Sequence, residues 1–284
     1  MKLSKIFALL LALCLISSAA CAATFTDAHG NVIELDDSLE AYAAVTLVGA
    51  DNAARQGETN LGDLWADALR WFAVSGEINA AFDEDDVKAG NDRIAVDADH
   101  VVALWNGGNL RADITEGTFG AEALAEVLPF PNKVAVVYMT GAQLLETLEA
   151  ASQGLPYTAE TADACASLMQ VSGLTYTVDT TKAYDALEAY GDHWFTAGSV
   201  SRVRIDDVNG QPFDAEATYA VVTSNANFNG MDSSYVLKAA AEANEQSAVT
   251  TAVVRDVVFR FIAAELNHQV GEAYAAPQGR LTIL

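Results

Sequence analysis

The chain has 284 residues, with 15 Lys+Arg against 39 Asp+Glu and a formal net charge of -24. A surface that acidic repels phosphate backbones, which bind proteins chiefly by exchanging counterions for Lys and Arg, so general nucleic-acid binding is excluded. With 51% hydrophobic residues, the chain has the composition of a folded protein with ample core for one large domain or two small ones.

Lys2 and Lys5 precede an apolar run from Ile6 to Ile16, followed by the small residues SSAACAA. That charged, apolar, small-residue order predicts a secretory signal over 1–22, with Ala20-Cys21-Ala22 as the cleavage site. The run is too short for a transmembrane segment, which needs about 20 apolar residues. The protein is therefore expected to be exported (periplasmic, secreted or cell-surface). Lipid anchoring at Cys21 is the less favoured alternative, because Ser18 suits that processing poorly. Removing 1–22 takes two lysines and no acid, so the formal charge moves from -24 to -26. Cys165 is then the free thiol of the mature chain, no intramolecular disulfide is expected, and the core must hold the fold unaided.

Residues 23–45 are read as an N-terminal hairpin extension, because TFTDAHGNVIEL alternates apolar residues about a His-Gly-Asn turn. Asp27-x-His29 has the spacing with which many metallophosphatases begin. A dinuclear site needs further His, Asp and Asn ligands, and His100, His193 and His268 sit in no such setting. A plain turn is the reading there, and no metal or other cofactor is expected.

Asn60 to Phe72 places Leu61, Leu64, Trp65, Ala68, Leu69 and Phe72 on one helical face, with Thr59 or Asn60 as cap. Asp83 to Asp86 reads as a solvated acidic turn. Val101 to Trp105 reads as a buried strand that ends in Asn106-Gly107-Gly108-Asn109-Leu110-Arg111. Thr140 and Gln143 predict a capping box opening a helix through Glu149. Met169–Val178 and Tyr219–Thr223 are expected strands, Val249–Asn267 a long amphipathic helix, and GRLTIL a closing strand. Ser152–Ala166 and Thr180–Ser199 look like surface insertions. The second carries Tyr184, Tyr190, Trp194 and Phe195, either as a local mini-core or as an edge that meets a ligand or partner. The fold class that follows is α+β (mixed α/β), with mixed β-sheets flanked by helices.

The turn after Val101–Trp105 carries the most chemistry. Its glycines permit positive φ and close approach of backbone to a ligand, and Arg111 offers a bidentate fork to hydroxyls or an anion. A tight strand exit with a surface arginine is the equally weighted alternative.

Five segments, in order, resemble the C-terminal, substrate-binding domain of the 5'-nucleotidase and UDP-sugar hydrolase family. They are Arg55 with ETNLGDLWADAL; ALWNGGNLRADITEG; AEVLPFPNKVAVVYMTGAQLLETLE; QVSGLTYTVD; and YAVVTSNANFNGMD with a terminal GRL. The resemblance covers roughly residues 46–284. It implies a domain that stacks a nucleoside base between two phenylalanines and holds ribose with arginine, asparagine and aspartate. Carried over position by position, it implies substrate-binding roles for Arg55, Asn106, Arg111, Phe130 and Asp232, with Gly108 and Asn109 in the turn. Asn109 replaces the family's third turn glycine, which Asn tolerates better than most residues if the position is left-handed. Gly-Gly-Asp-Gly of the family reads Gly230-Met231-Asp232-Ser233, a stiffer loop. Ala226 stands at the second stacking phenylalanine, and Phe228, two residues on, is the candidate to replace it.

The resemblance also implies that catalysis belongs to a separate N-terminal metallophosphatase domain with two metal ions, for which residues 23–45 are too few. No catalytic residue is therefore expected here. The leading expectation is a module that binds a nucleoside or nucleotide and does not hydrolyse it alone. The alternatives are a substrate-binding subunit for a metallophosphatase on another chain, and an extracellular scaffold that binds neither.

Overall fold

The computed structural model describes residues 23–26, 32–35, 40–83, 94–189 and 194–284. Its central element is a five-stranded sheet in the order β13 (Ala248–Val253), β6 (Lys133–Thr140), β12 (Thr218–Ser224), β4 (Val101–Asn106), β7 (Met169–Ser172). β12 runs parallel to β4, pairing Val221 with Val102, and the other three neighbours are antiparallel. Two three-stranded sheets flank it. One joins β14 (Gln269–Val270), β3 (Glu40–Ala43) and β5 (Gly117–Gly120); the other joins β11 (Val203–Val208), β8 (Leu174–Val178) and β15 (Leu281–Ile283). Mixed sheets with seven α-helices among the described residues make this the expected α+β architecture.

Alternation along the central strands builds two cores. Val101, Ala103, Trp105, Val134, Val136, Ala220 and Val222 face the helices Asn60–Val74 and Val254–Glu265. Val102, Leu104, Val137, Met139, Tyr219 and Val221 face the helices Gly141–Ala151 and Tyr235–Ala243. Both faces being covered explains why β4 is apolar from Val101 to Trp105 and buried along its whole length.

The helix Asn60–Val74 is capped by Thr59, whose side chain accepts from Gly62 N, and its six predicted apolar positions are all fully buried. The Thr140–Gln143 capping box is present, and its helix extends to Ala151. β1 (Ala23–Thr26) and β2 (Val32–Leu35) pair as an antiparallel hairpin. The Asp27-x-His29 turn lies outside the described residues, as do residues 84–86 of the acidic stretch.

Four expectations need correction. Met169–Val178 is two strands in different sheets, broken at Gly173 with φ +81°, where a Cβ would meet Arg70 Nε at 2.6 Å and Val101 O at 2.9 Å. Val249–Asn267 is not one helix: Ala248–Val253 is an edge strand on β6, and the helix runs from Val254 to Glu265. Val249, Thr250, Thr251 and Val253 are β-branched, and Thr250 Oγ1 donates to Val134 O at 2.9 Å, so strand pairing outweighs the helical period there. Ser152–Ala166 is partly core: Leu155, Cys165 and Ala166 are buried, and burial raises the Cys165 thiol pKa.

The fourth concerns Thr180–Ser199, which is a hairpin of β9 (Ala186–Ala189) and β10 (Phe195–Ala197) rather than a closed mini-core. Tyr184 OH donates to Phe195 O at 2.7 Å, Ala197 N donates to Tyr235 OH at 3.0 Å, and Leu187 and Phe195 stay exposed. Tyr190 lies outside the described residues.

Two buried polar clusters fasten the layers. Glu149, fully buried, accepts from Arg202 N at 2.9 Å and Val203 N at 2.8 Å, while the Arg202 guanidinium donates to Ser152 O and Leu155 O at 3.1 and 2.8 Å. The second cluster holds the C-terminal segment. Arg280 pairs with Asp67 at 2.8 Å, Gln278 N donates to Asp63 Oδ2 at 3.0 Å, and Leu281 N donates to Glu58 Oε2 at 3.0 Å. Glu58 Oε1 and Asp63 Oδ1 are buried without a hydrogen-bond donor, and Asp63 Oδ1 lies 3.7 Å from Arg280 Nη1.

Burial, reinforced by the Glu58 charge and only partly opposed by Arg280, pushes the Asp63 pKa up from 3.8 to about 8. The native state therefore keeps a proton that the unfolded chain releases. Stability from this group is complete below pH 3.8 and is lost as pH rises through about 8. Urea unfolding across that range should show the decline. Asp63→Asn, which supplies a permanent N–H to Glu58, is expected to flatten it; an unchanged slope would place the titration elsewhere.

Candidate functional site

At the end of β4 the chain turns through a 3-10 helix, Gly107–Asn109. Contrary to expectation, neither glycine nor Asn109 has positive φ. The glycines serve close packing instead: a Cβ on Gly107 would lie 1.9 Å from Ala54 O, and one on Gly108 would lie 2.6 Å from the Ala166 Cβ. The backbone N–H groups are not all free for a ligand either. Gly107 N donates to Leu168 O, Leu110 N to Gly107 O and Arg111 N to Val127 O, at 2.7, 3.1 and 2.9 Å.

The side chains of this turn converge with residues far away in sequence. Asn106, fully buried, donates through Nδ2 to Asp232 Oδ2 at 2.7 Å and accepts at Oδ1 from Asn109 Nδ2 at 2.8 Å. Arg111 lies over the Phe130 ring, 5.8 Å from guanidinium carbon to centroid. Arg55 comes from the short helix Ala53–Gln56 and is 8% exposed. Its Nη1 donates to Ala162 O at 2.8 Å and stands 3.6 Å from Asp163. Burial raises the Asp232 carboxyl pKa, while the charges of Arg55 and Arg111 pull it back down. Burial lowers the Arg111 pKa, the Arg55 charge adds to that shift, and Asp232 opposes it. Two guanidinium groups thus share one field with the Asp232 carboxylate, Arg55 being also paired with Asp163, and their forks can donate to an anion or to hydroxyl oxygens.

Arg55, Asn106, Asn109, Arg111, Phe130 and Asp232 therefore form one connected cluster. Phe130, between Pro129 and Pro131, is 44% exposed, so it is not a core residue at a turn. Phe228 is half-buried in the short helix Asn225–Phe228 and packs against the core that includes Leu237 and Ala240. The cluster is open to solvent on the side of Phe130 and of Met231, which is 59% exposed.

Sequence reasoning missed two supports. Gln170, buried in β7, accepts from Thr59 N at 2.9 Å and donates to Ala54 O and Gly57 O at 3.0 and 2.9 Å, pinning the segment that carries Arg55. A lone glutamine in an apolar strand was the available clue. Asp163 gave no clue, because it meets Arg55 only through the fold. Among the described residues, no group of three or more His, Cys, Asp or Glu side chains could hold a metal ion, and no helix is long and apolar enough to cross a membrane.

The chain is similar to known proteins in fold and in sequence. Against the 5'-nucleotidase precursor of Thermus thermophilus, the chain aligns over 86% of its length with 29% identity and a TM-score of 0.61. It aligns with the NAD nucleotidase of Haemophilus influenzae over 86% of its length with a TM-score of 0.56, where 16% identity supports the fold alone. In sequence it is 28% identical over 188 residues to the trifunctional nucleotide phosphoesterase protein YfkN of Bacillus subtilis. That match takes in 65% of this chain and 10% of the Bacillus protein, and the Thermus match takes in 39% of its counterpart. The family described as "5'-nucleotidase, C-terminal domain" matches residues 40–239, which include most of the central sheet, the glycine turn and every member of the cluster. On that match, which spans well over half of its length, the chain belongs to the 5'-nucleotidase C-terminal domain family.

Proposed function

We propose that this chain is an exported nucleoside- or nucleotide-binding module that uses the Arg55–Arg111–Asp232 cluster and the Phe130 ring as its substrate site. The observation that carries this reading is the convergence of an exposed, proline-braced aromatic ring with an Arg, Asn and Asp set on one open face. An aromatic face stacks any base, Asp232 accepts from ribose hydroxyls, and the arginines donate to hydroxyl or phosphate oxygens. Held by Asn106, Asp232 needs no rearrangement before it accepts. Phosphoester hydrolysis calls for metal-activated water, and the proposal leaves that chemistry to a metallophosphatase domain. Export rests on Lys2, Lys5 and the apolar run after them.

The test is calorimetric titration of adenosine into the signal-cleaved protein in EDTA. Saturable binding is expected, weakened by Phe130→Ala roughly ten- to a hundredfold, since loss of a stacking ring costs about 1–3 kcal/mol per base. Phe130 is partly exposed, so the variant should keep the wild-type unfolding midpoint. A flat trace with adenosine, uridine and a UDP-sugar would overturn the reading and leave the scaffold alternative.

A second reading is favoured by the lengths of the matched structures, in which this domain is 39% and 38% of the whole. In that reading the chain supplies the substrate site to a metallophosphatase on another polypeptide. It predicts nucleotide hydrolysis only when both are mixed.

A further inference from the structure

Asp232 stands on a stretch of backbone that must be held in place. Asp232 and Ser233 have φ values of 51° and 63°, in the left-handed region that residues other than glycine enter at a cost. Two such residues in a row persist only where their surroundings fix them. The bond from Asn106 Nδ2 fixes the Asp232 carboxylate and leaves the backbone beneath it to other contacts.

Those contacts come through Ser233, which is 2% exposed. Its Oγ donates to Ala150 O at 3.3 Å and accepts from Gln153 Nε2 at 2.9 Å. Gln153 lies just beyond the helix Gly141–Ala151, and its other amide atom is also in use: Oε1 accepts from Phe195 N at 2.9 Å. Phe195 opens β10 of the β9–β10 hairpin, so one carboxamide joins that hairpin to the loop carrying Asp232. The hairpin is itself anchored. Ala197 N donates to Tyr235 OH at 3.0 Å, and Tyr235 OH donates to Glu146 Oε1 at 2.9 Å. At its base Asp185 accepts from Ser199 Oγ and from Gly198 N, both at 2.8 Å. Two N–H groups of β10 thus turn towards the body of the domain and not towards β9.

From these contacts we infer that Gln153 is a positioning residue for Asp232: braced by the β9–β10 hairpin, it holds the Ser233 hydroxyl and so keeps the Asp232 carboxylate ready for ribose hydroxyls. A loop that is already ordered loses less freedom when ligand arrives, and affinity rises accordingly. The inference rests on the nucleoside-binding reading above. It gives the hairpin, otherwise a surface insertion, a part in that site.

Calorimetry on the signal-cleaved protein tests it with two ligands, adenosine and dideoxyadenosine, which lacks the vicinal ribose hydroxyls. Gln153→Ala should weaken adenosine about tenfold and dideoxyadenosine less than about twofold. In a Ser233→Gly background, where the hydroxyl is gone, Gln153→Ala should cost nothing further. Phe195→Pro, which removes the N–H that braces Gln153, should lower adenosine affinity in the same direction as Gln153→Ala. Urea unfolding confirms that each variant is folded before it is titrated. If Phe130→Ala weakens adenosine while Gln153→Ala binds it like wild type, the nucleoside site stands and the positioning role falls. Equal losses for the two ligands, or the same loss with and without the Ser233 hydroxyl, overturn that role as well. Wild-type binding by Phe195→Pro removes the hairpin from it, and a wild-type protein that binds no nucleoside overturns both readings.

Discussion

Glu149→Ala is expected to lower unfolding stability by about 3–5 kcal/mol, the cost of breaking a buried charge constellation from one side. The carboxylate is fully buried and satisfies Arg202 N and Val203 N, which have no water to turn to. Its charge also balances the Arg202 guanidinium, whose pKa burial lowers and Glu149 raises. Truncation leaves two buried N–H groups unpaired and an arginine without its counter-charge, and it frees the start of β11 from the end of the helix Gly141–Ala151. Glu149→Gln retains one acceptor oxygen but not the charge, so its loss should be smaller than that of alanine. Urea unfolding at pH 7 reads both variants, and an alanine variant within about 1 kcal/mol of wild type would show that the N–H groups find other partners.

Gly107→Ala should be nearly as damaging, for the opposite reason. The added methyl would sit 1.9 Å from Ala54 O, a backbone atom already held by Gln170 Nε2 at 3.0 Å. Neither side can yield as a flexible side chain would, so the helix Ala53–Gln56 must move. The expected cost is about 3 kcal/mol, at the upper end for overpacking. Because Arg55 follows Ala54, adenosine binding should also be lost. Gly57→Ala is the control: its new carbon meets nothing closer than 4.0 Å and its φ of 176° is ordinary extended backbone, so stability and binding should stay near wild type. Equal behaviour of the two variants in calorimetry and thermal unfolding would show that Gly107 has no special packing role.

The parts legible in the sequence are those that short stretches of chain decide. The apolar stripe from Leu61 to Phe72 and the Thr140–Gln143 box form helices because their determinants lie within one or two turns. The break at Gly173 was not legible, since it depends on Arg70 and Val101 arriving from elsewhere. At Ala248–Val253 the apolar spacing suits a helix or an edge strand, and the free edge of β6 decides between them. In the cluster, residue types and order were readable through resemblance, whereas the reason for the glycines was not. Their φ values are unremarkable, and what they make room for, Ala54 and Ala166, comes from two other segments.

The pairing of β3 with β14 has a kinetic consequence. Tyr42 aligns with Gln269 and Ala43 with Val270, and Leu281–Ile283 then completes the other flanking sheet by pairing with β8. A strand at residues 40–43 paired with one at 269–270 raises the contact order of the topology, which slows folding because loop-closure entropy is spent before the contact rewards it.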